Sequence, residues 1–356
     1  MHFVKRQNLL PYFLLIQIIL IQFLGFFPEV VERWYSNGFY PIVSKSFRML
    51  FGDIPFSVGD VLYFLLIVFG MRWIWISRKS WKTHWKKNIN LLLSGVAVFY
   101  FVFHILWGFN YYRQPLFEKM KIERDYTDAD LLAFTKQLIA KTNAIQFQIT
   151  KNPNAEIVFP YSQEQVFQMN IEGYTTLSQE HSFFQYSDLS GKKSLFSLPL
   201  TYMGFGGYLN PFTNEAQVNY LMPMYHSPTT SCHEMAHQMG YASESECNFI
   251  GFMASIKNND LYFKYSGYSF ALRYCLANWQ VRNEVVYEQL IQTVYPGILK
   301  NYEESDAFWK AYETPIETGF HLFYDSFLKW NQQKDGIEGY SKFVNLLVNY
   351  YKNKPI

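Results

Sequence analysis

The most informative stretch of this sequence is Cys232-His233-Glu234-Met235-Ala236-His237-Gln238-Met239-Gly240. Ser227-Pro228 upstream is typical of a helix start and Gly240 of a helix end, so we predict one helix between them. His233 and His237 are four residues apart and therefore lie on the same face of that helix. Both imidazoles can then reach a single metal ion.

Glu234 directly follows the first histidine, where a carboxylate beside a metal ion can take a proton from a bound water. For a chain with this content of His and Glu, the five-residue pattern arises by chance in roughly one sequence in a hundred. The alternative interpretation is a core helix whose two histidines are satisfied by ordinary hydrogen bonds. The pattern and the helix signals together favour a metal site with Glu234 as the general base.

A third ligand is needed, because a catalytic zinc ion binds three protein groups and one water. Glu244 and Glu246 both follow, and two residues apart on a helix they point to nearly opposite sides. The side chains on the Glu246 face are apolar: Phe249, Ile250 and Met253. Those on the Glu244 face are polar or small: Asn248, Gly251 and Ser255. Helical periodicity therefore favours Glu246 as the third ligand, with Glu244 as the alternative.

These residues also carry a resemblance. His233-Glu234-x-x-His237 with a glutamate on the next helix resembles the gluzincin class of zinc metallopeptidases, and Glu246-Cys247-Asn248-Phe249 is similar to the Glu-Ala-Asn/Asp signature of that class. The longer run from Tyr202 to Phe252 is similar to an uncharacterised family of bacterial membrane-anchored proteins with a predicted zinc-peptidase domain. That run includes Gly204-x-Gly206-Gly207-Tyr208-x-x-Pro211-Phe212-Thr213 and Glu215-Ala216-x-Val218-Asn219. Cys247 departs from the usual alanine, and the link from His237 to Glu246 is short.

The resemblance implies an α+β, mostly helical fold, in which N-terminal transmembrane helices precede a gluzincin-like zinc-peptidase domain with a small sheet. It implies one Zn²⁺ ion held by His233, His237 and Glu246, with hydrolysis of peptide bonds as the reaction. The spacing alone supports only a metal-activated water, and it leaves manganese or iron open. The resemblance also implies an edge strand that holds an extended peptide, and residues 215–220 are either that strand or an ordinary sheet strand.

Composition narrows the class of protein. The chain has 356 residues, room for one good-sized domain with attachments. Its net charge of +2 gives no electrostatic case for a nucleic-acid partner. The aromatic content of 20% suits membrane interfaces and a large core. Its three cysteines do not indicate a disulfide framework; a single bridge between Cys247 and Cys275 is the alternative.

Three apolar runs near the N-terminus are candidates to cross the roughly 30 Å hydrocarbon core of a membrane. We predict transmembrane helices at residues 9–27, 56–76 and 91–107. The first run is broken only by Gln17 and Gln22. A cleaved signal peptide is the alternative there, but the bulky residues that follow do not fit a cleavage site.

Basic residues set the predicted orientation of these helices. Lys5 and Arg6 precede the first helix. Five more crowd the connection between the second and third: Arg78, Lys79, Lys82, Lys86 and Lys87. The positive-inside rule then puts the N-terminus in the cytoplasm and leads the third helix outward. We therefore expect a multi-pass protein of the cytoplasmic (inner) membrane, with a membrane segment at residues 1–110 and an extracytoplasmic zinc-peptidase-like domain at residues 111–356.

The predicted function is a membrane-anchored zinc metallopeptidase, with a peptide or protein as substrate, the lipid bilayer as partner and no nucleic acid. The alternative is a non-catalytic zinc-binding, membrane-tethered sensor or interaction module, which has no use for a base at Glu234. A transporter is less favoured. Three predicted spans with His104 as the interior polar group would form a poor conduction path. Asn248 is a candidate to support the site, and three side chains are candidate oxyanion donors or simply structural: His321, Tyr324 and Tyr340.

Overall fold

Helices dominate the chain. In the computed structural model, which describes residues 9–331, 333 and 340–356, 73% of the chain is helical and a three-stranded sheet accompanies the helices. The predicted mostly helical architecture with a small sheet is therefore confirmed. Lys5 and Arg6 lie outside the described residues.

The helices before residue 110 are α1 Leu10–Leu24, α2 Pro28–Phe51, α3 Val58–Ser77 and α4 Trp81–Leu106. α2 is π-helical over Val31–Phe39. The helices that follow are α5 Leu116–Met120, α6 Asp128–Thr150, α7 Gln163–Glu180, α8 Ser197–Tyr202, α9 Ser227–Gln238, α10 Glu244–Lys257, α11 Leu261–Arg282, α12 Glu284–Ile291, α13 Pro296–Tyr312, α14 Pro315–Trp330 and α15 Tyr340–Tyr351. The strands are β1 Gly191–Lys193, β2 Gly207–Asn210 and β3 Glu215–Val218.

The sheet has the order β1-β3-β2, with β1 parallel and β2 antiparallel to β3. In the antiparallel pair Gly207 lies opposite Val218 and Asn210 opposite Glu215. β3 is therefore the central strand, so the ordinary-strand interpretation of residues 215–220 is correct. The strand with a free edge near the site is β2.

Two helices, α3 and α4, are long and apolar enough to cross a membrane. They correspond to the predicted spans at 56–76 and 91–107, and α4 begins ten residues earlier than predicted. α1 has 15 residues, about 22 Å of helix, which is shorter than the hydrocarbon core. It counts as a third span only together with α2, to which it is bent by 97°.

The N-terminal helices are packed onto the rest of the chain at the end of α9. Tyr40 Oη on α2 donates to the carbonyl of Gln238 at 2.9 Å, and Ser44 Oγ donates to the same oxygen at 2.8 Å. Trp107 Nε1 donates to the carbonyl of His237 at 3.0 Å. These bonds satisfy carbonyls that the end of a helix leaves free. Residue 110 therefore does not mark a break in packing.

The core centres on α10, which packs against α9, α7 and α11. Its residues Cys247, Phe249, Ile250, Phe252, Met253 and Ala254 are completely buried. Cys232, Cys247 and Cys275 are free thiols, so the alternative of a Cys247–Cys275 bridge is not found. His104 is buried, and its Nδ1 lies 2.9 Å from the Tyr100 carbonyl one turn earlier in α4.

Replacing Tyr40 by Phe tests the junction between α2 and α9. The Tyr40 hydroxyl donates to the Gln238 carbonyl and accepts from Asn214 Nδ2 at 2.8 Å, so its loss removes two buried hydrogen bonds. The Gln238 carbonyl keeps the bond from Ser44, but the buried Asn214 amide loses this partner. We expect Tyr40→Phe to lower the free energy of unfolding by about 1–3 kcal/mol. The measurement is denaturant unfolding of the full chain in detergent micelles, followed by circular dichroism. Tyr12→Phe is the matched control, because Tyr12 is 67% exposed. Equal stability of the two variants would contradict the claim that the Tyr40 hydroxyl stabilises the packing of α2 on α9.

Candidate metal centre

α9 brings the two predicted histidines together. Nε2 of His233 and Nε2 of His237 are 3.1 Å apart, on the same face of the helix. His233 is partly exposed and His237 is buried. The helix itself forms where its sequence signals predicted, from Ser227 to Gln238. Gly240 follows with a φ of +86°, which lets the chain turn back toward α10.

Glu244, the first residue of α10, completes the group. Its Oε2 lies 3.2 Å from His233 Nε2 and 3.7 Å from His237 Nε2. Around a tetrahedral zinc ion with bonds of 2.0–2.1 Å, ligand atoms are about 3.3 Å apart. The three observed separations of 3.1, 3.2 and 3.7 Å match this spacing. His233 Nε2, His237 Nε2 and Glu244 Oε2 are therefore suitably placed to hold one metal ion.

Glu246 does not face the histidines, so its predicted position in the site is wrong. Its Oε1 accepts a hydrogen bond from the backbone N–H of Leu116 at 2.8 Å. The carboxyl group lies in a separate pocket that also contains Arg113 and Lys342. Burial raises the pKa of Glu246, although the basic side chains and the Leu116 N–H oppose this shift.

The packing of α10 against α9 at Gly251 determines which of the two glutamates faces the histidines. A Cβ at this position would lie 3.0 Å from the backbone nitrogen of His233 and 3.0 Å from the Thr229 carbonyl oxygen. α10 thus packs its small, polar face against the backbone of α9, while the apolar face on the Glu246 side enters the core. Because both faces are buried, an apolar stripe did not mark the face toward the site. The signal that could have been used is the small residue at Gly251, two turns after Glu244.

Further side chains hold the ligand atoms in position. Asn248 Oδ1 lies 2.8 Å from His233 Nδ1, and the Tyr241 carbonyl lies 2.7 Å from His237 Nδ1. Such bonds place the proton on Nδ1 and leave each Nε2 lone pair for a metal. Tyr324 Oη donates to Glu244 Oε1 at 2.7 Å. Asn248 therefore has the supporting position expected of it, and Tyr324 contacts a candidate ligand.

Of the remaining oxyanion candidates, His321 lines a pocket together with His233, Glu234 and Glu244, and Tyr340 cannot be placed. His321 Nε2 is 3.2 Å from the carbonyl of Met203. The side chain of Tyr340 lies outside the described residues. His321 is therefore close to the candidate site, with its Nε2 beside a backbone carbonyl.

Glu234 lies beside the group with an unused carboxylate oxygen. Its ligand atom and those of His233 and His237 lie within 4.8 Å of one another. The residue is 4% exposed, and its Oε2 has no hydrogen-bond partner among the described residues. Burial raises the pKa of Glu234 to about 7; the two imidazoles oppose this shift and Glu244 adds to it. A buried carboxylate of this kind is equipped to accept and release a proton.

Comparison with known proteins gives a family but no activity. A family described as "Protein of unknown function (DUF3810)" matches residues 35–348. The chain belongs to DUF3810. No curated protein and no solved structure matches it. The matched DUF3810 region contains α3, α4 and the candidate metal centre, so the apolar helices and the site belong to the same family unit.

A cavity of about 570 Å³ opens from the candidate metal centre of this DUF3810 chain. One end is formed by His233, Glu234, His237 and Glu244. The other walls come from α3, the end of α4, α8, β2 and α14, and they are mainly aromatic and aliphatic: Tyr63, Ile67, Phe103, Trp107, Phe196, Leu200, Met203, Phe205, Leu209, Phe320 and Phe327. On this side, the candidate centre opens into an apolar space.

Gly251→Ala tests the packing that positions Glu244. The added methyl group would press on the α9 backbone, and overpacking of this kind costs about 1–3 kcal/mol. We expect a lower free energy of unfolding, because this cost exceeds the gain in helix propensity. Gly319→Ala is the matched control, since a Cβ there would meet no described atom within 4 Å. Urea unfolding compares the variants, and a Gly251→Ala protein as stable as Gly319→Ala would refute the close approach.

Proposed function

We propose that this protein is a membrane-anchored, zinc-dependent metallopeptidase of the gluzincin type that hydrolyses peptide bonds outside the cytoplasm. The observation that carries the proposal is the convergence of His233 Nε2, His237 Nε2 and Glu244 Oε2, with the Glu234 carboxylate beside them. Two imidazoles and one carboxylate are the ligand set of catalytic zinc sites that leave a coordination position for water. Glu244 replaces Glu246 as the proposed third ligand.

The donor atoms fit such an ion in charge as well as in spacing. Burial opposes ionisation of Glu244, but the facing imidazoles of His237 and His233 hold the pKa of its carboxyl well below the usual range. A carboxylate is therefore available as a ligand at neutral pH. When bound, zinc would act as a Lewis acid and lower the pKa of its water.

The chain's own groups supply the proton transfers and the orientation of the substrate. Oε2 of Glu234, which has no partner among the described residues, is the atom proposed to accept the water proton and later pass it to the leaving nitrogen. The edge of β2 is proposed to hold an extended peptide by main-chain hydrogen bonds. Gly207 brings this strand close to the base, because a Cβ there would lie 2.6 Å from Glu234 Oε1.

The proposed location follows from the positions of the basic residues. The first turn of α3 is bonded to the sheet through Glu215, whose carboxylate accepts from the N–H of Gly59 at 2.6 Å. The basic connection that begins at Arg78 lies at the other end of α3, about 30 Å away along a 20-residue helix. If this connection faces the cytoplasm, the site lies on the outer side of the membrane.

A non-catalytic zinc-binding sensor or interaction module is the competing hypothesis. It would use the same histidines and Glu244, but it has no role for the buried Glu234 carboxylate, whose Oε2 has no hydrogen-bond partner among the described residues. A closed structural zinc site would also use four protein ligands rather than three. The peptidase proposal accounts for both features.

Glu234→Gln separates the two hypotheses. The amide keeps the size of the side chain but cannot accept a proton, so we expect peptide hydrolysis to fall by about 10²- to 10⁴-fold. Bound zinc should remain at one ion per chain, because the three proposed ligands are unchanged. Cleavage of a broad peptide library and elemental analysis give the two readouts. Undiminished hydrolysis by the variant would remove Glu234 from the mechanism.

A pair of variants tests the assignment of the third ligand. Glu244→Gln should weaken zinc binding by more than the roughly 10- to 100-fold that losing a hydrogen-bond partner of a ligand costs. Glu246→Gln should leave zinc affinity unchanged, because that carboxyl group is bonded to the Leu116 N–H instead. Competition with a chromogenic chelator measures both affinities, and circular dichroism checks that both variants are folded. The reverse ranking would restore Glu246 as the ligand.

A further inference from the structure

We propose that the substrate is a membrane-anchored polypeptide whose apolar segment enters the site from the bilayer. This inference rests on the proposed peptidase function and names its substrate class. It is carried by the apolar cavity, by the helices that form its walls and by the edge strand that runs along it.

The cavity offers no charged partner beyond the metal centre. Apart from His233, Glu234, His237 and Glu244, its described lining residues include no Asp, Glu, Lys, Arg or His. A volume of about 570 Å³ is enough for several apolar side chains. Charged or strongly polar substrate residues would lose their hydration there without compensation. The cavity therefore selects an apolar segment.

Part of the cavity wall is the surface of a helix that is able to cross a membrane. Ile67 lies nine residues after Val58, which is about 14 Å along α3 and roughly half of the hydrocarbon thickness. Ile67 lines the cavity and is also 54% exposed. The cavity thus reaches the outer surface of α3 at a depth where lipid would surround the helix. An apolar chain can pass from the bilayer into the cavity without crossing water.

Buried polar contacts fix α3 against the sheet. Glu215 on β3 accepts from the N–H groups of Val58 and Gly59 at the start of the helix. Asp60, on the first turn, accepts from the Leu195 N–H at 2.7 Å and from the Tyr208 hydroxyl on β2. The membrane helix and the edge strand therefore hold one fixed spacing, and the space between them leads to the metal centre.

The edge of β2 favours a polypeptide over a lipid acyl chain. Gly206 O accepts from Asn219 N, so the alternating antiparallel pattern turns the main-chain groups of Gly207 and Leu209 away from β3. Gly207 and Leu209 both line the cavity. Main-chain donors and acceptors that point away from β3, beside an apolar space, match the backbone of an extended peptide. An acyl chain has no groups to pair with them.

The test uses the full, zinc-loaded chain reconstituted in phosphatidylcholine vesicles. Three substrate libraries share the same random eight-residue cleavable stretch: one carries a 20-residue apolar helix, one carries a palmitoyl group, and one is soluble. Each anchor is tested at either end of the stretch, and cleavage is quantified by mass spectrometry. We expect the helix-anchored library to be cleaved at least tenfold faster than the other two, after correction for the amount bound to vesicles.

A variant pair links this preference to the cavity. Ile67→Trp should fill the space beside α3 and reduce cleavage of the helix-anchored library at least tenfold, with little effect on any slow cleavage of soluble peptides. Ile74→Trp is the control on the same helix, because Ile74 is 59% exposed and does not line the cavity. Thermal unfolding confirms that both variants are folded.

The other outcomes separate this inference from the proposed function. Equal cleavage of anchored and soluble libraries would overturn the inference and leave the peptidase function standing. Faster cleavage of the palmitoylated library than of the helix-anchored one would show that the cavity takes an acyl chain and not an apolar polypeptide segment. If no library is cleaved by zinc-loaded protein, the peptidase function fails and the inference fails with it.

Discussion

The close contact between α9 and α10 at Gly251 is the constraint on which the candidate site depends. It places Glu244 3.2 Å from His233 Nε2 and Asn248 2.8 Å from His233 Nδ1. One packing contact thus provides both a candidate ligand and the group that orients another. The end of α9 is held in turn by hydrogen bonds from Tyr40 and Trp107. The N-terminal helices therefore help to build the site.

Local features of the sequence were enough to predict the first half of the site. The four-residue spacing of His233 and His237 and the flanking helix signals depend only on neighbouring residues, and the structure has that helix at Ser227–Gln238. The capping residues Thr127 and Ser162 also start helices α6 and α7. The third position was not predictable in this way, because Glu244 is partly exposed, Glu246 is buried, and both accept hydrogen bonds. Which of them faces α9 is decided by tertiary packing.

The same limit applies to the sheet and to the packing of the N-terminal helices. Composition and length identified α3 and α4 as apolar helices, since a span depends on a continuous run of residues. Strand order depends on contacts between distant residues, so residues 215–220 did not reveal from their own pattern that β3 is central. The packing of α2 on α9 is equally non-local. Tyr40 makes this contact, and nothing in the sequence around it indicates a hydrogen bond to the Gln238 carbonyl.

The most direct test of the central claim is X-ray absorption at the zinc edge of the zinc-loaded full chain. The account predicts two imidazole nitrogens and additional oxygen scatterers at about 2.0–2.2 Å, from His233, His237, Glu244 and a water, with no sulfur. A sulfur scatterer at about 2.3 Å would contradict it, because a thiolate would then stand in place of the proposed carboxylate ligand.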